Sequence, residues 1–217
     1  MNKDLKNNTI RINLSPTEYI PLENHFVNQN PIIGPFPKDM EQAIFGMGCF
    51  WGPERHFWQI PGVFSTAVGY TGGQKENPTY EEVCSDTTGH VEVVMIIFHP
   101  REITYNELLQ TFWESHNPTQ GMRQRSDVGS QYRSAIFVNS DEQLTLATRS
   151  LNQYQSKLSS AVANESSAIE SNVLGDITTE INVLEKFYYA ETYHQQYLAK
   201  NINGYCSMKG TGVSCSI

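Results

Sequence analysis

"VEVVMIIF" (Val91–Phe98) is the stretch on which the fold turns. It is short, β-branched and apolar but for Glu92, and it reads as a buried strand rather than a helix. Upstream, "GVFSTAVGY" (62–70) and "QAIFGM" (42–47) read as two further strands. Between them "WGPERHFWQI" (51–60) reads as a helix, with Pro53 tolerated in its first turn. Downstream, Thr104 and Glu107 form a capping box that opens a helix running to Ser115. Leu108, Leu109, Phe112 and Trp113 lie on its inner side. "SAIFV" (134–138) is another strand, and Ser140 with Gln143 caps a long helix striped by Leu144, Leu151 and Leu158. "TTEINVL" (178–184) then reads as a strand and "FYYAETYHQQYL" (187–198) as a last helix.

Strand, helix, strand, strand, helix, strand is the split βαβ order of ferredoxin-like folds. It predicts an α/β (α+β) two-layer sandwich with a mixed sheet and extended terminal segments. Residues 1–40 are polar and rich in Pro and Asn, an extension to the domain at 41–200. Residues 201–217 form a mobile, glycine-rich tail, and 159–172 a surface linker. Three long connections (71–90, 116–133 and 201–217) are rich in Gly, Pro, Tyr, Asp and Cys. Together with the start of the first helix they outline the candidate site.

The chain has 217 residues, 39% of them hydrophobic, enough for one sizeable core. Its net charge of −8, without a Lys/Arg-rich run, excludes a nucleic-acid footprint. No segment approaches the roughly 20 apolar residues of a membrane span, and the opening "MNKDLKNNTIRINL" is not built like a secretory signal. The expected compartment is therefore the reducing cytoplasm. There, four cysteines point to redox, catalytic or metal chemistry rather than structural disulfides.

Cys49, in "GMGCFWGPERHFWQI" (46–60), stands where a strand hands over to a helix. Helix N–H groups and the dipole would lower its thiol pKa, whereas an inert buried cysteine is the bland alternative. Phe50 and Trp51 would line an apolar subsite or belong to the core. Cys206 and Cys215, in a tail with Gly204, Gly210 and Gly212, suit delivery of a thiol to another sulfur. No C-x2-C pair supports zinc. Cys84 has neither a glycine hinge nor an evident partner and reads as a bystander. Glu92, at the start of an apolar strand, would hold a proton at neutral pH if buried. Asp127, Tyr132 and Tyr80 are polar groups of the long loops, each also readable as a turn former or a packed ring. At this level three classes compete. One is a peroxidatic thiol with resolving thiols. Another is a cysteine hydrolase or acyltransferase pairing Cys49 with His194 or His90, and the third a peptide-binding module.

"GCFWG" (48–52), "GYTGG" (69–73), "NPTYEEVCS" (77–85), "TGHVEVV" (88–94), "HNPTQGMRQ" (116–124), "SDVGSQYRSAIF" (126–137), "YYAE" (188–191), "HQQYL" (194–198) and "GTGVSC" (210–215) together resemble the peptide methionine sulfoxide reductase A family from about residue 41 to 213. The resemblance implies thiol-dependent reduction of the S-epimer of methionine sulfoxide, free or in proteins, with no metal or organic cofactor. It implies Cys49 as nucleophile, Phe50 and Trp51 as the methyl cradle, and Glu92 as proton donor. Tyr80 and Tyr132 would assist the sulfoxide oxygen, Asp127 would belong to the substrate site, and Cys206 and Cys215 would be the recycling pair. Oxidised-methionine proteins and thioredoxin are the implied partners of an enzyme in which nothing demands more than a monomer. "GYCSMKG" (204–210) departs from the family's more usual glycine-rich "GYCGLGG", a difference that bears on the tail and not on the first chemical step.

Overall fold

The computed structural model describes residues 24–163 and 175–215. The chain runs through strand β1 (Glu41–Met47), helix α1 (Trp51–Trp58), strand β2 (Val63–Thr71), helix α2 (Tyr80–Cys84) and strand β3 (Val91–Phe98). Helix α3 (Tyr105–Ser115), the short strands β4 (Arg123–Gln124) and β5 (Asp127–Val128), and a 3-10 turn at Ser130–Tyr132 follow. Strand β6 (Ser134–Val138), helix α4 (Asp141–Ala163), strands β7 (Glu180–Val183) and β8 (Tyr188–Tyr189), and helix α5 (Tyr197–Lys200) come last.

The main sheet has the order β7-β6-β1-β3-β2-β8. β3 runs antiparallel between β1 and β2, and β6 antiparallel to β1, which is the split βαβ arrangement. β7 joins β6 in parallel and makes the sheet mixed. β3 lacks an apolar–polar alternation because both of its faces are covered. Val94, Ile96 and Phe98 pack with Phe57 of α1, Leu108, Leu109 and Phe112 of α3, and Tyr154 and Leu158 of α4. Val91, Val93, Met95 and Ile97 pack on the opposite side with Ile32, Phe137 and Phe187. Helices α1, α3 and α4 thus lie on one face. The other is covered in part by residues 24–40, where Ile32 is fully buried and His25 reaches Thr66 Oγ1 at 2.9 Å. The part of the N-terminal extension at 1–23 lies outside the described residues.

Strand parity turns Glu92 to the same side as Val94, toward α1. The α3 capping box is complete: Glu107 N–H donates to Thr104 Oγ1, and the Glu107 carboxylate accepts from Thr104 N–H. Such a cap stabilises a helix by about 1 kcal/mol. At α4 only half the box closes. Gln143 N–H donates to Ser140 Oγ, while the Gln143 amide donates instead to the carbonyl of Gln42 in β1.

Two expectations are corrected. Residues 159–163 continue α4 rather than starting a linker, and the remainder of that stretch to 172 lies outside the described residues. The last helix is reduced to Tyr197–Lys200. Before it, Tyr188 and Tyr189 pair with β2, and Gln195 acts as a partner to the sheet, its amide bonding Val68 N–H and the Val68 and Ala190 carbonyls. Those bonds, and a left-handed backbone at Gln196 (φ 48°), prevent an earlier helical turn.

Candidate active site

Cys49 is half-buried between β1 and α1. The turn depends on Gly48, whose φ of +89° favours glycine and where a Cβ would lie 2.6 Å from Gln124 Cβ. The Trp51 N–H at the helix start does bond the sulfur and favours the thiolate. Burial outweighs it, followed by the carboxyl of Glu92, and the thiol is held well above its ordinary pKa. The expectation that the helix start lowers this pKa is therefore corrected: one N–H cannot offset a poorly hydrated site facing an acid.

That acid is 1% exposed. Glu92 Oε2 accepts the Phe50 N–H at 3.1 Å, which ties β3 to the first turn of α1. Burial raises its pKa to about 8 against the pull of this bond, with Asp127 and Glu191 adding to the rise. At neutral pH the group is largely protonated. The half-buried hydroxyls of Tyr80 and Tyr132 are also pushed up, by burial first, and each senses Glu92. Tyr80 is hydrogen-bonded to Cys84, so Cys84 has a partner after all and belongs to the rim of the site. Tyr80 N–H donates to Glu191 Oε1 at 2.8 Å, and Tyr70 hydroxyl to Glu191 Oε2 at 2.9 Å.

Phe50 is almost fully buried, its ring 5.9 Å from Tyr70 and 5.1 Å from His194. Trp51 stays partly exposed. Its indole N–H donates to His194 Nδ1 at 3.1 Å, and its ring stacks on Tyr197 with centroids 3.9 Å apart. His194 is therefore an acceptor for Trp51, with Glu191 near its other nitrogen, and burial lowers its pKa to about 4. His90 spends both ring nitrogens on the loop backbone, at Gly73 N–H and the Lys75 carbonyl. Neither histidine is disposed as a base for Cys49, which weakens the hydrolase alternative.

The tail is seated on the domain. Cys206 is exposed, and its sulfur lies over the first turn of α1: a Cβ added at Gly52 would be 3.1 Å from Cys206 Sγ and from Met208 Cβ. Asp127 accepts from Tyr205 hydroxyl at 3.1 Å and Ser207 hydroxyl at 2.9 Å, which brackets Cys206. The Arg125 guanidinium donates to the carbonyls of Lys209 and Gly210. Cys215 is buried in the helix-side core beside Leu158, its N–H donating to Glu114, and burial raises its thiol to about 11. These contacts place the tail, whose glycines alone give no position, against the domain.

Periodicity alone does not single out Glu54. It is fully buried on α1, accepting from Gln196 N–H (2.8 Å), Gln196 Nε2 (2.7 Å) and Thr66 hydroxyl (3.3 Å). The available signal was an acid beside aromatic residues in "CFWGPER", matched by the glutamines of "HQQYL". Among the described residues no cluster of three or more His, Cys, Asp or Glu could hold a metal ion. Nor is any described helix long and apolar enough to cross a membrane.

The chain is similar to known proteins. The family model described as peptide methionine sulfoxide reductase matches residues 41–214. The peptide methionine sulfoxide reductase MsrA 1 of Synechocystis sp. is 56% identical over 203 residues, covering 94% of this chain and 86% of its own. The MsrA of Ectopseudomonas mendocina is 58% identical over 191 residues, covering 88% and 82%. Among solved structures, methionine sulfoxide reductase A of Corynebacterium diphtheriae superposes with a TM-score of 0.76 at 40% identity, covering 86% of this chain and 85% of that one. The chain belongs to the peptide methionine sulfoxide reductase family.

Proposed function

We propose that the protein reduces methionine S-sulfoxide, free or in proteins, and so repairs oxidised proteins. The observation that carries this reading is the buried Glu92, its carboxyl bonded to Phe50 N–H beside the half-buried Cys49 and its pKa raised by burial. A sulfoxide sulfur becomes electrophilic once its oxygen receives a proton, and a thiol and an acid side by side answer that need. Phe50 and Trp51 form the apolar seat for the methyl group, and Tyr80 and Tyr132 direct hydroxyls at the oxygen. Asp127 orders the site's outer edge and the tail.

Cys49 sulfur attacks the substrate sulfur and oxygen passes to the thiol, giving the thioether and Cys49 sulfenic acid. The substrate sulfur gains two electrons and the Cys49 sulfur loses them. Glu92 supplies a proton to the oxygen and receives the thiol's proton, so it is unchanged at the end. This exchange suits a site where both groups hold their protons at rest. Cys206 then condenses with the sulfenic acid, forming a Cys49–Cys206 disulfide and releasing water. Cys215 exchanges into it, freeing Cys49 and leaving Cys206–Cys215 for thioredoxin or another dithiol to reduce. Because Cys215 is buried, that exchange requires the last residues to leave the core. A cytoplasmic monomer that uses no metal or organic cofactor completes this reading.

The test is incubation with methionine S-sulfoxide and dithiothreitol, with methionine as the readout. Methionine from the parent and none from Cys49→Ser supports the reading. Equal yield from both proteins refutes it.

A further inference from the structure

Glu54 takes no part in the chemistry above, yet it is fully buried, and a buried carboxyl is costly to keep without several donors. Its partners converge on one point. Oε2 accepts the Gln196 backbone N–H, and Oε1 accepts the Gln196 side-chain amide and the Thr66 hydroxyl. Gln196 is itself in the left-handed region (φ 48°, ψ 41°), which a glutamine adopts only when its surroundings hold it there. A carboxyl clasp and an unfavourable backbone conformation therefore coincide at one residue.

The neighbours of that residue show what the clasp controls. His194, two positions before Gln196, receives the Trp51 indole N–H, and Tyr197, one position after, stacks on the same indole. Trp51 and Glu54 lie three residues apart on α1, hence on adjoining turns of one face. Helix α1 thus grips the 194–197 segment twice, once by the indole and once by the carboxyl. Holding Gln196 fixes the two rings between which the indole rests. A third anchor, Phe26 N–H donating to Gln196 Oε1, links the N-terminal covering segment to the same amide.

We propose that Glu54 is a positioning residue that, through Gln196, locks the Trp51 wall of the substrate seat and so sets the width open to the S-alkyl group. The proposal rests on the reductase reading and on Trp51 as part of that seat. Only the anchored indole confines a methyl group closely. Once the 194–197 segment loosens, the ring can tilt and an ethyl group fits.

The experiment compares kcat/KM for methionine S-sulfoxide and its S-ethyl homologue in the parent, Glu54→Gln, Glu54→Ala, Trp51→Phe and the Glu54→Ala/Trp51→Phe double variant. A methylene at a close-fitting site is worth roughly 10-fold or more in discrimination. Glu54→Ala should lose most of that preference, chiefly through KM, with Glu54→Gln intermediate because its amide retains one acceptor. The double variant should match Trp51→Phe alone, as expected when one residue acts through another. A methyl/ethyl ratio unchanged in both Glu54 variants, with the two rates falling together, would show a purely structural role and overturn the proposal. Should Glu54→Ala not fold, the isosteric Glu54→Gln decides by the same ratio. If the parent reduces neither compound, the reductase reading fails. If it reduces both equally, the seat is not selective and the proposal fails while that reading stands.

Discussion

The Phe50 backbone N–H donates to Glu92 Oε2 at 3.1 Å, so the residue next to the thiol and the acid of the site are joined by a single bond. The bond places the carboxyl beside Cys49 without ionising it, because burial still raises Glu92 to about 8. Phe50 caps the start of α1 and Glu92 lies in β3, and each is almost fully buried.

Single-turnover reduction should hold a plateau below about pH 8 and decline above it, since the proton donor is lost as Glu92 ionises. Glu92→Ala should slow that step by roughly 10²–10⁴-fold, the usual worth of a positioned acid. Glu92→Gln should retain much of the activity if its amide still bonds the oxygen. Rapid-quench measurement of methionine decides; parent-like rates in both variants would remove Glu92 from the mechanism.

The same residue governs stability. Its folded pKa, about 8, lies above its ordinary value of 4.5, so its contribution is fully present below 4.5 and is lost as pH rises through 8. Glu54, raised by burial to about 7, acts in the same direction over a lower window. Glu92→Gln should therefore gain in melting temperature relative to the parent between these limits. Thermal melts across pH 4–9 check it, and a constant difference would contradict the raised pKa.

Cys206→Ser should give one burst of about one methionine per enzyme and then stop, as sulfenic acid forms without a resolving thiol. Methionine counted per active site in the presence of thioredoxin and its reductant reads this directly. Sustained turnover by the Cys206→Ser/Cys215→Ser double variant would contradict the relay.

Gly52→Ala should spare the burst and slow recycling. The new methyl would meet Cys206 Sγ and Met208 Cβ at 3.1 Å, so the backbone carrying Cys206 has to shift by a few tenths of an ångström. Burst amplitude and steady-state rate, measured on one preparation, separate the two steps; a loss confined to the burst would argue against this placement of Cys206.

Freeing the tail should expose Cys215. Arg125→Ala removes the donor to the Lys209 and Gly210 carbonyls, and Tyr154→Phe removes the hydroxyl that bonds Thr211. Alkylation of Cys215, followed by mass spectrometry, should run several-fold faster in both variants, because local opening sets the rate at a buried thiol. Unchanged labelling would mean that these contacts do not hold the tail.

Much was legible in the residues themselves. The β-branched run at Val91–Phe98, the Thr104 capping box and the order of periodic segments specified the split βαβ core, since hydrophobic spacing and caps are local signals. The position of Cys49 between a glycine-ended strand and a helix, and of Glu92 at the head of an apolar strand, was likewise local. Tertiary structure alone decided the electrostatics and the anchoring. Whether the Cys49 thiol rises or falls depends on how burial and Glu92 weigh against one helix N–H, a balance struck across two elements. Glu54 and Gln196 are 142 residues apart, and Glu114 and Cys215 101, so the bonds that hold the 194–197 segment and the tail leave no periodic trace. Side-chain bonds to distant backbone groups satisfy polar atoms at burial and obey no sequence spacing. For that reason the last predicted helix shrank to one turn, and the tail's contacts with the domain could not be read from its glycines.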